Sequence, residues 1–160
     1  MAEPKDKSGE HPLGDAGQLV LFALFIAVWA ADSFFLRFST HPAGLVPLLL
    51  RLVLAGVTLV AAVMIVRAAH SYIGHGRGPR GLVTTGVFER VRHPLYLGCM
   101  LFYLGLVVST LSIASMAVFV LIAAFYDYIA RYEERLLLGR FGGEYERYME
   151  RSGRWLPKIF

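Results

Sequence analysis

Residues 92–98 read RHPLYLG, and an unbroken apolar run, CMLFYLGLVV, follows them to residue 108. Proline is tolerated in the first turn of a helix, where the N–H it lacks would find no partner, so Pro94 marks a helix start. The run behind it makes that helix a membrane span, and Arg92 and His93 then set its first turn at the boundary between water and lipid. A titratable histidine and a tyrosine at that position require an explanation beyond anchoring.

The rest of the chain agrees with a membrane setting. Of 160 residues, 56% are hydrophobic, against about 45–50% apolar in soluble domains by a slightly wider count. The excess lies in long runs, and a span needs ~20 mostly apolar residues. Four runs qualify, at about 17–38, 44–69, 94–110 and 111–130. The short stretch VSTLS at 108–112 separates the last two, so they form a helical hairpin. The expected fold class is all-α: a polytopic membrane protein of four transmembrane helices, with a C-terminal hairpin and an interfacial C-terminal helix. Residues 1–16 read as a polar tail, without the basic start and short apolar core of a signal peptide, and 17–160 as a single transmembrane domain. One cysteine, Cys99, excludes an intramolecular disulfide. It lies one turn into an apolar helix with no cationic neighbour in sequence, so an inert thiol is expected.

Lysine and arginine set orientation. The segment 71–93 carries Arg77, Arg80, Arg90 and Arg92. The segment after 129 carries seven basic residues, from Arg131 to Lys158, and the tail adds Lys5 and Lys7. With four spans these segments share one side, and the other side has only Arg37, so both termini are expected in the cytoplasm. The net charge of +4 then reflects flanks that meet anionic headgroups, not a nucleic-acid partner. Asp32 and Arg51 lie near span ends on the far side, where snorkelling or mutual pairing accounts for them.

The segment YIGHGRGPRGLVTTGVFERVRHP is glycine-rich. Its first part reads as a linker, and GLVTTGVF as a more ordered stretch. At the start of the helix at Pro94, free N–H groups and the positive dipole end favour an anion. His93, Tyr96, Met100 and Tyr103 fall near one face of that helix. The fourth span runs out into FYDYIARYEERLLLGRFGGEYERYMERSGRW. Asp127, Arg131 and Glu134 share a face at i, i+4 and i+7, and Glu133 lies beside them. Phe141-Gly142-Gly143 ends the helix. An amphipathic surface helix follows, with Trp155 as its interfacial anchor. The hairpin brings the start of the third span to the end of the fourth, so His93 and Tyr96 should meet Glu133 and Glu134. An anion-seeking helix start opposite carboxylates suits a zwitterionic ligand.

RHPLYLG, then a hairpin, then EERLLLGRFGGEYERY and a final RWLP, resembles the isoprenylcysteine carboxyl methyltransferase-like proteins, which group with the phospholipid N-methyltransferases. The stretch LVTTGVF resembles the one before their Arg-His-Pro motif, so the likeness covers roughly residues 81–157. It implies S-adenosyl-L-methionine as methyl donor at the cytoplasmic end of the hairpin. His93, Tyr96 and Gly98 would line the cofactor site, Glu133 and Glu134 would take its amino group or ribose, and the backbone around Val83 and Gly86 would hold the adenine. The acceptor would be lipidic or membrane-partitioned, a carboxylate, amine or thiol, with no metal. Arg131 would orient an acceptor carboxylate, and Glu134 or Tyr96 would take a proton from an amine or thiol. Two alternatives stand beside this: a small membrane reductase using a nicotinamide cofactor, because sterol-reductase-like proteins share a related C-terminal arrangement, and a non-enzymatic membrane scaffold.

Overall fold

The computed structural model describes residues 14–75 and 82–158. The polar tail through residue 13 and the glycine-rich stretch 76–81 lie outside them. Helix α1, Gly14–Ala30, runs into a π-helical turn, Ala31–Leu36, and a 3-10 turn follows at His41–Leu45. Helix α2 is Leu48–His75, α3 the single turn Val87–Arg90, α4 Pro94–Thr110, α5 Ile113–Phe141 and α6 Gly143–Arg151. Among the described residues there is no strand. Three stretches, Ala16–Leu36, Leu48–Tyr72 and Ile113–Phe141, are long and apolar enough to cross a membrane. Helix α4 is apolar and shorter, 17 residues, or about 25 Å at 1.5 Å per residue. The protein is an all-α polytopic membrane protein. Its fourth span outruns the sequence-based limit of residue 130 and stays helical to Phe141.

Lipid offers no hydrophobic drive for one apolar helix to meet another, so close packing and hydrogen bonds must hold the bundle. Helix α4 provides both. A Cβ on Gly98 would lie 3.2 Å from the Ala62 carbonyl oxygen, and one on Gly105 3.4 Å from that of Ala55. These two glycines let α2 lie directly on α4, antiparallel to it. On the other side α1 runs parallel to α4. Phe25 meets Tyr103 edge-on at 4.8 Å, the Trp29 indole donates to the Leu106 carbonyl at 3.0 Å, and Ser33 donates to Thr110 at 3.0 Å. Phe25, Tyr103, Val107, Ile122 and Tyr126 form the buried core where α1, α4 and α5 meet. The outer faces of α1 and α2 expose Leu19, Val20, Leu49, Val57 and Met64, as lipid-facing surfaces do.

The hairpin between α4 and α5 takes two residues. Leu111 adopts a left-handed conformation (φ 51°) and donates to the Val107 carbonyl, closing α4. Ser112 caps α5 by accepting from the Ser115 N–H. Asp32 sits against this turn. It pairs with neither Arg37 nor Arg51. Its carboxylate accepts from the Ser39 N–H at 3.0 Å, the Ser39 hydroxyl at 2.6 Å and the Ser112 hydroxyl at 2.5 Å. Arg51 donates instead to the Ser109 carbonyl at 3.1 Å. This network locks the far end of α1 onto the hairpin, and it follows that the near ends of all four helices share the opposite end of the molecule.

At that near end Gly142, at φ 53° and ψ −130°, stops α5 and turns the chain back. Helix α6 inserts Tyr145 and Tyr148 into the protein, and the Tyr148 hydroxyl donates to the Phe88 carbonyl at 2.7 Å. Arg92 N–H donates to the Gly153 carbonyl at 2.8 Å, and Gly153 N–H to the Arg90 carbonyl at 2.9 Å. This bridge pins the C-terminal segment beside RHPLYLG.

Candidate functional site

Residues at the near end build upward from Pro94. As the first helical residue it directs His93, the N-cap, back over the turn. The His93 ring stacks on Tyr96 at 5.7 Å, and Tyr96 on Tyr126 of α5 at 5.1 Å. The Tyr96 hydroxyl donates to Glu133 Oε1 at 2.5 Å. His93 Nδ1 lies 3.5 Å from Glu133 Oε2, and Nε2 lies 3.4 Å from Glu134 Oε1. His93 is 8% exposed, and its Nε2 has no hydrogen-bond partner. Burial opposes a charge on the imidazole, but the two carboxylates outweigh it and raise its pKa above the usual 6.5.

Glu134 is buried and heavily paired. Arg92 Nε donates to it at 2.8 Å and Arg154 Nη2 at 2.5 Å. Arg92 also donates to the Ser152 carbonyl at 2.5 Å. Arg154 reaches Asp127 at 3.2 Å, and the Trp155 indole donates to the same carboxylate oxygen at 3.2 Å. Glu134 therefore clasps the C-terminal segment onto α4 and α5, while Glu133, on the α4 side, is the carboxylate less committed to guanidinium groups.

The structure thus brings His93, Tyr96, Glu133 and Glu134 together. It does not bring the other candidates to that cluster. Arg131 is on the outer face of α5, its side chain 64% exposed and paired with Asp127 at 2.6 Å. Gly98 lies one turn deeper, under Val66 of α2. Gly86 takes φ 65°, ψ −130° against the Tyr72 ring, a conformation that requires glycine. Val83 lies in the irregular stretch before it. Sequence reasoning misses Arg92 and Arg154 as partners of Glu134. Trp155, expected as an interfacial anchor, also lies 5.8 Å from the His93 ring and hydrogen-bonds Asp127. The available signal was an Arg-Trp pair just past a helix end, downstream of three carboxylates on α5.

Two cavities flank the cluster. One, of 310 Å³, is an apolar groove between α1 and α2 with α4 as its floor, lined by Phe22, Val63, Val66, Phe102 and Tyr103, with Arg67 beside them. Cys99 also lines it. Tyr103 is packed in the same buried cluster as Tyr126, so the groove's inner wall leads to the Tyr126–Tyr96 stack. The second cavity, of 500 Å³, lies on the other side of α5 and is lined by Arg92, Arg131, Glu134, Arg135 and Arg154. Among the described residues no group of three His, Cys, Asp or Glu side chains is placed to hold a metal ion.

Residues 44–144, which contain the whole α2–α4–α5 assembly, match the family model for phospholipid methyltransferases. The chain belongs to that family. It is 38% identical over 114 residues to the cobalt-zinc-cadmium resistance protein CzcN of Cupriavidus metallidurans, covering 71% of this chain and 51% of that protein. It is 34% identical over 79 residues to the protein-S-isoprenylcysteine O-methyltransferase of Saccharomyces cerevisiae, covering 49% of this chain and 33% of that one. The chain thus spans about half or less of the length of these relatives. No solved structure matches it.

Proposed function

We propose that this chain is an S-adenosylmethionine-dependent membrane methyltransferase acting on a lipidic acceptor, with the cofactor at the His93–Tyr96–Glu133 cluster. The observation that carries the reading is this cluster, within the family-matched segment, about one turn of α4 from the Gly98–Cys99 floor of an apolar groove. The donor set suits the cofactor. Its ammonium and sulfonium centres call for carboxylate and aromatic faces, which Glu133, Tyr96 and Tyr126 offer. Its carboxylate calls for N–H donors, which the first turn of α4 offers. His93 Nε2 is buried and faces Glu134 Oε1 at 3.4 Å without closing a hydrogen bond, which leaves it able to complete its bonding with a ligand. Residues 83–86 reach the same end of the bundle and are available to the adenine.

S-adenosylmethionine, when bound, supplies an electrophilic methyl group. The residues of this chain supply position. Rings at 93, 96 and 126 wall the reacting atoms from water, and holding two reactants in line contributes on the order of 7–11 kcal/mol. The acceptor enters from lipid along the apolar groove with its headgroup toward Tyr126. An anionic headgroup meets Arg67 there; Arg131 faces away. A carboxylate acceptor has no proton to lose. An amine or thiol has one, and Glu133 is better free to take it than Glu134, which two guanidinium groups hold. With the basic segments on one side, this end of the bundle faces the cytosol, where the soluble cofactor is.

Calorimetry on the purified full chain in neutral detergent tests the proposal. S-adenosylmethionine should bind at one site and NADPH should not. Binding of NADPH alone would turn the reading to a reductase, and binding of neither by folded protein would leave a scaffold.

A further inference from the structure

The 500 Å³ cavity opens on the other side of α5 from the proposed methyl-transfer site, with Glu134 as its wall toward that cluster. Helix geometry turns Ile122, Tyr126, Ile129 and Glu133 toward the bundle, and Arg131 and Arg135 nearly opposite. The cavity is walled on its far side by Met149 and Arg154 of the returning C-terminal segment. Four guanidinium groups, from Arg92, Arg131, Arg135 and Arg154, surround it, against the carboxylates of Glu134 and Asp127, which pair with three of them. Arg135 has no ion pair or hydrogen bond among the described residues. Arg131 and Arg135 are four apart, so two like charges share one face, mildly unfavourable for a helix, and Asp127 at 2.6 Å offsets the charge of Arg131 but not that of Arg135.

Depth and surroundings specify the anion. Arg131 and Arg135 lie about 27 and 33 Å along α5 from Ile113, at 1.5 Å per residue. A hydrocarbon core is ~30 Å thick, so both guanidinium groups sit at headgroup level. Below them, on the same face, Val120, Leu121 and Tyr128 are 57%, 61% and 55% exposed, with exposed Ala124 between them and Ala117 one turn further down. This is an open apolar track ending in positive charge.

We propose that the outer face of α5 is a binding site for an acidic phospholipid, its phosphate held between Arg131 and Arg135 and one acyl chain lying along the track from Ala117 to Tyr128. The two non-bridging oxygens of a phosphodiester match two guanidinium forks. The site stands on these residues alone and does not depend on the methyl-transfer reading.

Native mass spectrometry of the full chain, offered equal amounts of phosphatidylglycerol and phosphatidylcholine, tests the proposal. Wild type should retain one phosphatidylglycerol in preference. The double variant Arg131→Gln, Arg135→Gln should lose that preference on the order of tenfold or more, since each basic residue near an anionic surface contributes substantially. Arg140→Gln, on the same helix but outside the cavity, should keep it. Inorganic phosphate alone, the chain-free arm, should compete only weakly. Equal retention of the two lipids by wild type would overturn the site, as would an undiminished preference in the double variant or equal losses in Arg140→Gln. Tight binding of inorganic phosphate with no gain from the acyl chains would make it a soluble-anion site and overturn the lipid assignment.

Discussion

His93 is held 3.5 and 3.4 Å from the carboxylates of Glu133 and Glu134, and a pH dependence of stability follows. Its folded pKa is raised above the unfolded value of 6.5. The stabilisation is therefore fully present below pH 6.5 and is lost as pH rises through the higher folded value. Unfolding followed in detergent across that window should show this decline, and His93→Gln should flatten it. An unchanged slope in the variant would assign the decline to another group. The two neighbouring glutamates should separate cleanly. Glu134→Gln leaves Arg92 buried against a neutral partner and Arg154 with Asp127 alone, and breaking a buried pair costs about 3–5 kcal/mol. Its signature is lower thermal stability. Glu133→Gln should leave the fold intact and weaken S-adenosylmethionine binding by about 1.5–3 kcal/mol, the worth of a hydrogen bond to a charged group. Calorimetry and melting curves on both variants check the contrast, and the reverse pattern would exchange their roles. At this scale the sequence was half legible. The hairpin implies that His93 and Tyr96 meet the paired glutamates. Nothing in local pattern says that Arg154, 20 residues further on, returns to occupy Glu134.

Helix boundaries were legible where a residue type dictates them. Pro94 opens α4 and Gly142 closes α5, one by its missing N–H and the other by its positive φ. The Asp32 network was not legible, because Ser39 and Ser112 become neighbours only through the packing of α1 on the hairpin. Packing of α2 on α4 depends on hydrogen in place of side chains. Gly98→Leu should push α2 off α4 at Val66 and Ala62 and destabilise the bundle by about 1–3 kcal/mol, the usual cost of overpacking. It would also narrow the apolar groove. Gly56→Ala is the control, since a Cβ there meets nothing within 4 Å. Alanine is the better helix former by up to about 1 kcal/mol, so this variant should be neutral or more stable. Chemical unfolding of the two in detergent decides, and equal effects would remove the close-packing argument.

At the scale of the whole molecule, α1 parallel to α4, with α2 and α5 antiparallel to both, places both ends of the described chain on the side of His93. The lysine and arginine distribution supports the proposal that this side faces the cytosol. Single cysteines at Ser71 and Lys158 in a Cys99→Ala background should be labelled from the cytosolic side, and one at Thr110 only from the other. Labelling of Ser71 and Lys158 from opposite sides would break both the topology and the shared site. The overall architecture was the most legible part, because apolar runs and basic flanks are properties of composition. The outer cavity of α5 was the least, because it forms only when α6 folds back. The central claim is that the cluster at the head of α4 transfers a methyl group to a lipid, and transfer of labelled methyl from S-adenosylmethionine into the lipid extract of membranes containing this chain tests it most directly. Wild type should label a lipid, and Tyr96→Phe, which keeps the ring stack and loses only the hydroxyl on Glu133, should slow labelling about 10- to 100-fold. Folded wild-type protein that labels no lipid, or Tyr96→Phe and His93→Ala variants that label at the full rate, would contradict it.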